Sequence, residues 1–493
     1  MAATMHVRIL HRVFSFPSML CCLLCALAVF TVRSRFDDPD MWWHLKNGEI
    51  IFTTHTIPLA DIFSYTSNHQ ALVPQEWLSQ LAIYSAYRWG GFSGLMLLLC
   101  LLASALLVSG YLLCRLYSRN AKVAFAGAMA IWFFGTIGFA IRPQSFAYLL
   151  LVAELALIHL GQTRNPRWFL LLPVLFAVWI NCHGSFMLGI AVACVFLFSS
   201  FLRVETGPLV SRPWSPRCRG FFALALVLSV AALFLNPVGI KQILYPFDTM
   251  LNMPILFSQV AEWAPLEMTD VRGVGLLGVI LICFLPAAAR RTELYWDELI
   301  LLAIGAWLAF GHIRMLSIFG ILAAPILSRQ LSTSWENYDP SEDRIWPNAV
   351  VMGMALGALC LAFPSAGNLA RQVEESSPVK AVEFLRANHL SGPMLNDYGF
   401  GGYLIWAAPE YPVAMDGRTD MYEWSGFLAE YGNWALMHTD PNLLPDKYKV
   451  NFCVLSRNSS MVLILPLMHE WKVAYTDNNS AILVRASSAV PAK

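Results

Sequence analysis

Charge is what this sequence has least of. Asp, Glu, Lys and Arg make 13% of its 493 residues, and hydrophobic types make 57%. A soluble domain carries roughly 25% charge, so much of the chain is built for an apolar solvent. The net charge of +1 gives no sign of a nucleic-acid partner. A disulfide framework is also missing. Among the 11 cysteines, Cys21, Cys22, Cys25, Cys100, Cys114, Cys194, Cys283 and Cys360 sit inside apolar runs, where a thiol serves as a small hydrophobe. The CxxC of Cys22 and Cys25 lies mid-run, which argues against metal or redox use. After Pro364 there is only Cys453, so that region holds no internal disulfide.

Long apolar runs are abundant instead. A bilayer span needs about 20 apolar residues. Clear spans are expected at 13–32, 92–117, 123–140, 146–160, 186–202, 221–235, 274–289 and 349–363. Shorter runs at 168–180, 299–311 and 315–327 are compatible with spans or with segments that dip in and return. Arg8 and Arg12 ahead of the first run resemble a signal-peptide start, but so many runs follow that an uncleaved first helix is expected. The fold class predicted is a polytopic α-helical membrane bundle of about 11 transmembrane helices with a C-terminal extracytoplasmic α/β domain.

Basic residues orient the bundle. With a cytoplasmic N-terminus, the inner loops hold Arg115, Arg119, Lys122, Arg164, Arg167, Arg203, Arg212, Arg217, Arg219, Arg290, Arg291, Arg329 and Arg344, besides Arg8 and Arg12. Positive charge collects on the cytoplasmic side. The C-terminal domain, 365–493, is then periplasmic or otherwise extracytoplasmic, and 1–364 is the transmembrane domain. A bacterial inner membrane is the expected location.

The first outer loop, 33–91, exceeds the length of a mere connector. It is rich in aromatics, and 74–89 carries apolar residues at helical spacing, which predicts an amphipathic helix at the headgroups. At its head stand Asp37, Asp38, Pro39 and Asp40, then Met41, Trp42, Trp43 and His44. Asp38 and Asp40 suit either a helix N-cap or a functional pair that holds a divalent cation against a phosphate or takes a proton from an attacking hydroxyl. Trp42 and Trp43 suit interface anchoring as well as sugar stacking. Further along, Arg142, His183, Glu262, His312 and Arg314 fall in short outer turns. Ionisable groups at such depth usually face a cavity. The cations Arg142, His183, His312 and Arg314 together predict a lining for a lipid phosphate, to which arginine offers a planar fork.

In the C-terminal region, strands are expected at 393–396, 412–415, 450–456, 472–475 and 481–485, and helices at 377–388, 402–407, 421–437 and 460–469. Such alternation predicts a small α/β domain with a partly parallel sheet. Two polar turns follow strand candidates directly: Asn396-Asp397-Tyr398-Gly399-Phe400-Gly401-Gly402 and Asp416-Gly417-Arg418-Thr419-Asp420. They suit ligand binding at strand ends or simple turn chemistry with an Asp416–Arg418 pair. Their glycines do not form GxGxxG, so no dinucleotide site is implied. The turns are expected over the surface where Asp38 and Asp40 emerge.

The segments DPDMWWHLKNGEII (38–51), IPLADIFSYT (57–66), QEWLSQ (75–80), VWINCHGSF (178–186), EWAP (262–265), NDYGFGGYLIW (396–406) and DGRTDMY (416–422) resemble those of a bacterial group of GT-C membrane glycosyltransferases. The GT-C class includes protein mannosyltransferases, aminoarabinose transferases of lipid A and the oligosaccharyltransferase catalytic subunit. The resemblance implies transfer of a hexosyl or pentosyl group from a polyprenyl-phosphate-linked donor to an extracytoplasmic glycan, lipid or protein. It implies that an acidic residue of the first loop is catalytic base or metal ligand, a role that maps onto Asp38 and Asp40, with Mg2+ or Mn2+ as the candidate cation. Trp42, Trp43, His44, Glu76, Glu262, Asp397, Tyr398, Asp416 and Arg418 become candidate substrate contacts. Asp397-Tyr398-Gly399 matches part of the oligosaccharyltransferase WWDYG signature, but Leu395 and Asn396 replace its tryptophans. Two other classes stay open: a transporter or flippase of lipid-linked sugars, and a non-catalytic glycan-binding membrane protein.

Overall fold

The computed structural model of the chain describes residues 11–67, 69–255 and 261–486; Arg8 lies outside them. The chain forms two compact units. One comprises Met1–Arg33, Leu97–Ile243 and Val260–Pro364, and the other Ser34–Met96, Leu244–Gln259 and Ser365–Lys493. The segment that follows the first helix thus groups with the C-terminal region.

The first unit is helical. All 11 expected runs coincide with helices, including Phe16–Val32, Ala121–Gly135, Pro143–Thr163, Leu172–Cys182, Phe186–Ser199, Pro216–Ala232 and Trp296–Gly311. Among the described residues, six helices are long and apolar enough to cross a membrane; the count of about 11 includes shorter ones. Leu316–Leu331, expected as a doubtful short run, is buried on nearly every side. A helix apolar all round belongs in the middle of a bundle. It packs on Ala121–Gly135, where a methyl group on Gly127 would strike Ser328 and Cys114. Small residues allow such close helix approach. Val271–Ala288 and Ile345–Ala362 are the opposite, with 22% and 17% of their apolar windows buried. Their exposed apolar faces match lipid as solvent. Arg212 binds Asp297 and Glu298, and Arg329 also binds Glu298, beside a parallel pairing of Leu209–Val210 with Leu294–Tyr295.

The second unit is built on a four-stranded sheet ordered Met394–Asn396, Phe452–Ser456, Ser480–Arg485, Trp471–Thr476. Its first pair is parallel, with Leu395 opposite Cys453, and the others are antiparallel. This matches the partly parallel sheet expected. Alternate residues serve two cores: Leu395, Cys453, Leu455 and Leu483 in one, Met394, Phe452, Val454 and Ile482 in the other. Strand side chains alternate faces, so a sheet covered on both sides reads as continuous hydrophobe.

The expected strand at 412–415 is instead a single bridge, Val413 to Ser64. Pro412 has no N–H to donate. The buried Asn396 side chain takes over the pairing, its Oδ1 accepting from Ala414 N–H at 2.8 Å and its Nδ2 donating to Met415 O at 2.8 Å. The amphipathic helix expected at 74–89 opens the long Trp77–Ser118 helix, which loses helical geometry at Gly90 and Gly91. Gly91 has φ 56°, a conformation that glycine adopts without strain. Helices Met41–Thr54, Ile240–Asn252 and Ala366–Ser376 are additional to those expected. Ile240–Asn252 and Ala366–Ser376 keep their apolar residues to one face, whereas Met41–Thr54 mixes polar and apolar residues closely enough to hide the period.

Candidate functional site

Asp38 and Asp40 sit at the entry to the Met41–Thr54 helix. Asp40 occupies the N-cap position, but no side-chain capping bond forms there. Its backbone N–H donates to Asp38 Oδ1 at 2.9 Å, and its Oδ1 accepts from Trp43 Nε1 at 3.3 Å. Asp38 is buried and Asp40 half-buried. Both polar turns of the C-terminal region press against this corner. A methyl group on Gly402 would meet the Pro39 carbonyl, and one on Gly417 would meet the Asp40 carboxylate. The glycines are thus needed for approach. Pro39 and Asp40 are packed by the same turns that the sequence marks as polar.

The neighbouring aromatics divide by burial. Trp42 is 2% exposed, edge-on to Phe92 and Tyr403. Trp43 is half-buried and lies against the His44 ring at 3.6 Å between centroids. His44 is buried, its Nδ1 3.2 Å from Gln80 Nε2 and 3.8 Å from the Glu76 carboxylate. Gln80, on the opening turns of the Trp77–Ser118 helix, was not marked by any sequence signal beyond the QEWLSQ segment.

Asp416 and Arg418 form a closed buried network. Arg418 donates through Nε and Nη2 to Asp416 at 2.8 and 2.6 Å and through Nη1 to Asp61 at 2.8 Å. Tyr422 donates to the same Asp416 carboxylate at 2.7 Å. Burial pushes the Asp416 carboxyl up, but Arg418, Tyr422 and the Arg418 N–H outweigh it and hold it below the ordinary range. Asp61 also accepts from the backbone of Phe63 and Ser64. The network therefore ties 61–64 to 416–422. Asp61 lies within a resembling segment, yet its partner is not legible from spacing.

Asp397 accepts from the N–H groups of Gly399 at 3.0 Å and Ser456 at 3.4 Å. Burial raises its pKa above the ordinary value against those two bonds. The Tyr398 N–H donates to Tyr431 Oη at 3.1 Å. These turn contacts match the strand-end geometry expected.

In the first unit, Arg142 and Arg314 converge on one carboxylate. Glu262 is 2.8 Å from Arg142 and 3.5 Å from Arg314, and Arg314 also donates to Gln144 at 2.8 Å. The Arg314 guanidinium lies over the Trp263 ring at 4.6 Å, and His312 Nδ1 is 2.8 Å from the Trp263 carbonyl. His183, at the end of Leu172–Cys182, bonds Ser185 through Nδ1 at 2.9 Å and lies within range of the Arg314 charge. The four expected cations thus share one neighbourhood, with Gln144 and Trp263 as further members.

Among the described residues no group of three or more His, Cys, Asp or Glu is arranged as metal ligands.

No family model and no curated protein matches the sequence. Solved structures do match the fold. The oligosaccharyltransferase of Archaeoglobus fulgidus tethered with an acceptor peptide is 12% identical, with a TM-score of 0.57 over 94% of this chain and 74% of that one. The same organism's AglB, in complex with an inhibitory peptide and a dolichol-phosphate, is 13% identical, with a TM-score of 0.54 over 88% of this chain and 69% of that one. ArnT from Cupriavidus metallidurans bound to undecaprenyl phosphate is 14% identical, with a TM-score of 0.50 over 96% of this chain and 98% of that one. The fold of this chain is that of the GT-C glycosyltransferases.

Proposed function

We propose that the protein is a membrane glycosyltransferase that moves a sugar from a polyprenyl-phosphate-linked donor to an acceptor hydroxyl outside the cytoplasm. The observation that carries this is the Asp38-Pro39-Asp40 corner, where Asp38 holds the Asp40 N–H and Gly402 and Gly417 pack on Pro39 and Asp40, on a fold shared with proteins solved with dolichol-phosphate and undecaprenyl phosphate. The acceptor atom attacks the anomeric carbon of the sugar. The bond from that carbon to the phosphate oxygen breaks, and the lipid phosphate departs with the electron pair. The acceptor proton passes to a carboxylate, Asp38 first and Asp40 second in preference. Arg142 and Arg314 stabilise the phosphate charge that grows as the bond breaks, with His183 and His312 beside them. A divalent cation, Mg2+ or Mn2+, would be held by Asp38 and Asp40 and would supply further charge to the phosphate.

Trp43, His44, Glu76, Asp397 and Tyr398 are assigned to the sugar and acceptor. Glu262 sets the spacing of the two arginines. Asp416 and Arg418 position the turn that carries Gly417, and Trp42 supports the Asp40 helix from the core. The assignment keeps about 11 spans in a bacterial inner membrane, with 365–493 on the extracytoplasmic side.

The test is transfer by purified protein supplied with polyprenyl-phosphate-linked hexoses and pentoses. The double variant Asp38→Asn, Asp40→Asn should lose at least about 100-fold in kcat, the usual scale for general acid–base catalysis, with unchanged thermal unfolding. Arg142→Gln with Arg314→Gln should instead weaken undecaprenyl phosphate binding by about tenfold per arginine. Full activity in the aspartate variant would sink the mechanism.

A further inference from the structure

We propose that the first unit holds a second phosphate-binding site, at the other membrane face from Arg142. The Pro143–Thr163 helix has Arg142 at its N-cap and Arg164 at its C-cap. Its 21 residues rise about 30 Å, the thickness of the hydrocarbon core. Arg164 and Arg142 therefore stand at opposite faces whichever way the chain is oriented.

At the Arg164 end lies an open recess of about 160 Å³ lined by Arg115, Leu116, Arg119, His159, Thr163 and Arg164. Three guanidiniums meet there without a carboxylate in the lining. Among the described residues none of the three forms an ion pair or a side-chain hydrogen bond. Other arginines of the same set of loops are engaged: Arg212 and Arg329 with Asp297 and Glu298, Arg219 with the Ser200 carbonyl. The carboxylates near Tyr117, Asp297 and Glu298, are thus already matched.

A second observation points into the same recess. His159 lines it, with Nδ1 buried and without a hydrogen-bond partner and the ring tilted by 32° against Tyr117 at 4.2 Å between centroids. Three like charges at one recess repel each other unless an anion sits among them. The anion that suits several planar forks plus an imidazole is a phosphate, as monoester or diester. Two sources carry that chemistry at a membrane face, an anionic phospholipid headgroup and a soluble phosphate. Basic pockets between helices at the membrane surface take lipid headgroups in this manner.

The experiment uses the full chain in discs of phosphatidylcholine doped with phosphatidylglycerol, with retained lipid read by native mass spectrometry. The wild type should retain phosphatidylglycerol over phosphatidylcholine by at least about tenfold. The variants R115A/R119A/R164A and R115K/R119K/R164K should both lose that preference, the second because ammonium groups lack the fork. A parallel arm titrates inorganic phosphate in phosphatidylcholine discs and follows thermal unfolding. A saturable rise in Tm, lost in both variants, assigns the site to a soluble phosphate. Retention in the lysine variant equal to wild type would mean surface charge alone and would overturn the proposal. So would an absence of lipid preference together with an absence of phosphate response. The transfer reaction is not the readout, so this site stands or falls apart from the proposed activity.

Discussion

In the second unit, Arg418 is 5% exposed and gives all three nitrogens to two fully buried carboxylates. In the first, Arg142 and Arg314 share Glu262, which keeps 41% of its side chain open. Both clusters join arginine to acid, but they teach different things. A buried charge that is completely matched has no capacity left for a ligand, and its value is in fixing chain segments. The second cluster stays open at its acid, with Glu262 41% exposed against 15% and 25% for Arg142 and Arg314. The sequence treats both clusters alike, as candidate contacts. Burial is what separates them.

The largest expected effect would break this comparison outright. Arg418→Met strands Asp61 and Asp416 in the core, which should cost about 3–5 kcal/mol of stability. Arg142→Met, at a cluster whose acid stays open to solvent, should cost less. Thermal unfolding of the two purified variants measures the difference, and equal losses would erase the distinction drawn between the units.

Gly417→Ala sharpens it next. The added methyl group meets the Asp40 carboxylate, so the turn or the acid must shift. Misplacement by about 1 Å costs roughly 100-fold in rate. A fall in kcat of that scale with donor KM unchanged is expected, measured by sugar transfer. A variant that transfers normally would separate the Asp40 corner from the chemistry.

The smallest effect is on pH. Burial pushes the Asp420 carboxyl up to about 6, with Glu423 adding to the rise, and the Tyr245 hydroxyl donates to it. An acid whose folded pKa is raised contributes stability that is present below its unfolded value, about 3.9, and is lost as pH rises through 6. Asp420→Asn should therefore flatten the decline of Tm between about pH 4 and 6, the interval between those two values. Wild type and variant showing the same pH profile of unfolding would remove Asp420 from the stability of this unit.

Local pattern made the helices readable. Apolar runs announce themselves wherever a helix is apolar along its length, and all 11 expected runs coincide with helices. Strands at 450–456 and 481–485 were legible because their residues alternate between two cores. The strand expected at 412–415 failed because a side chain, Asn396, supplied the bonds that a neighbouring strand would have made. Met41–Thr54 went unread because Lys46, Asn47 and Glu49 interrupt its apolar side.

The acids of the first loop, the glycines of the two polar turns and the cations of the outer edge were all given by the sequence itself, because each is a matter of residue type beside an apolar run. What only the tertiary structure decided is which of them meet. Asp61 finds Arg418 and Asp40 finds Gly417 across more than three hundred positions of chain. Arg314 finds Glu262 through a fold of helices. Contacts at that separation depend on how helices and sheet pack, which no local spacing encodes.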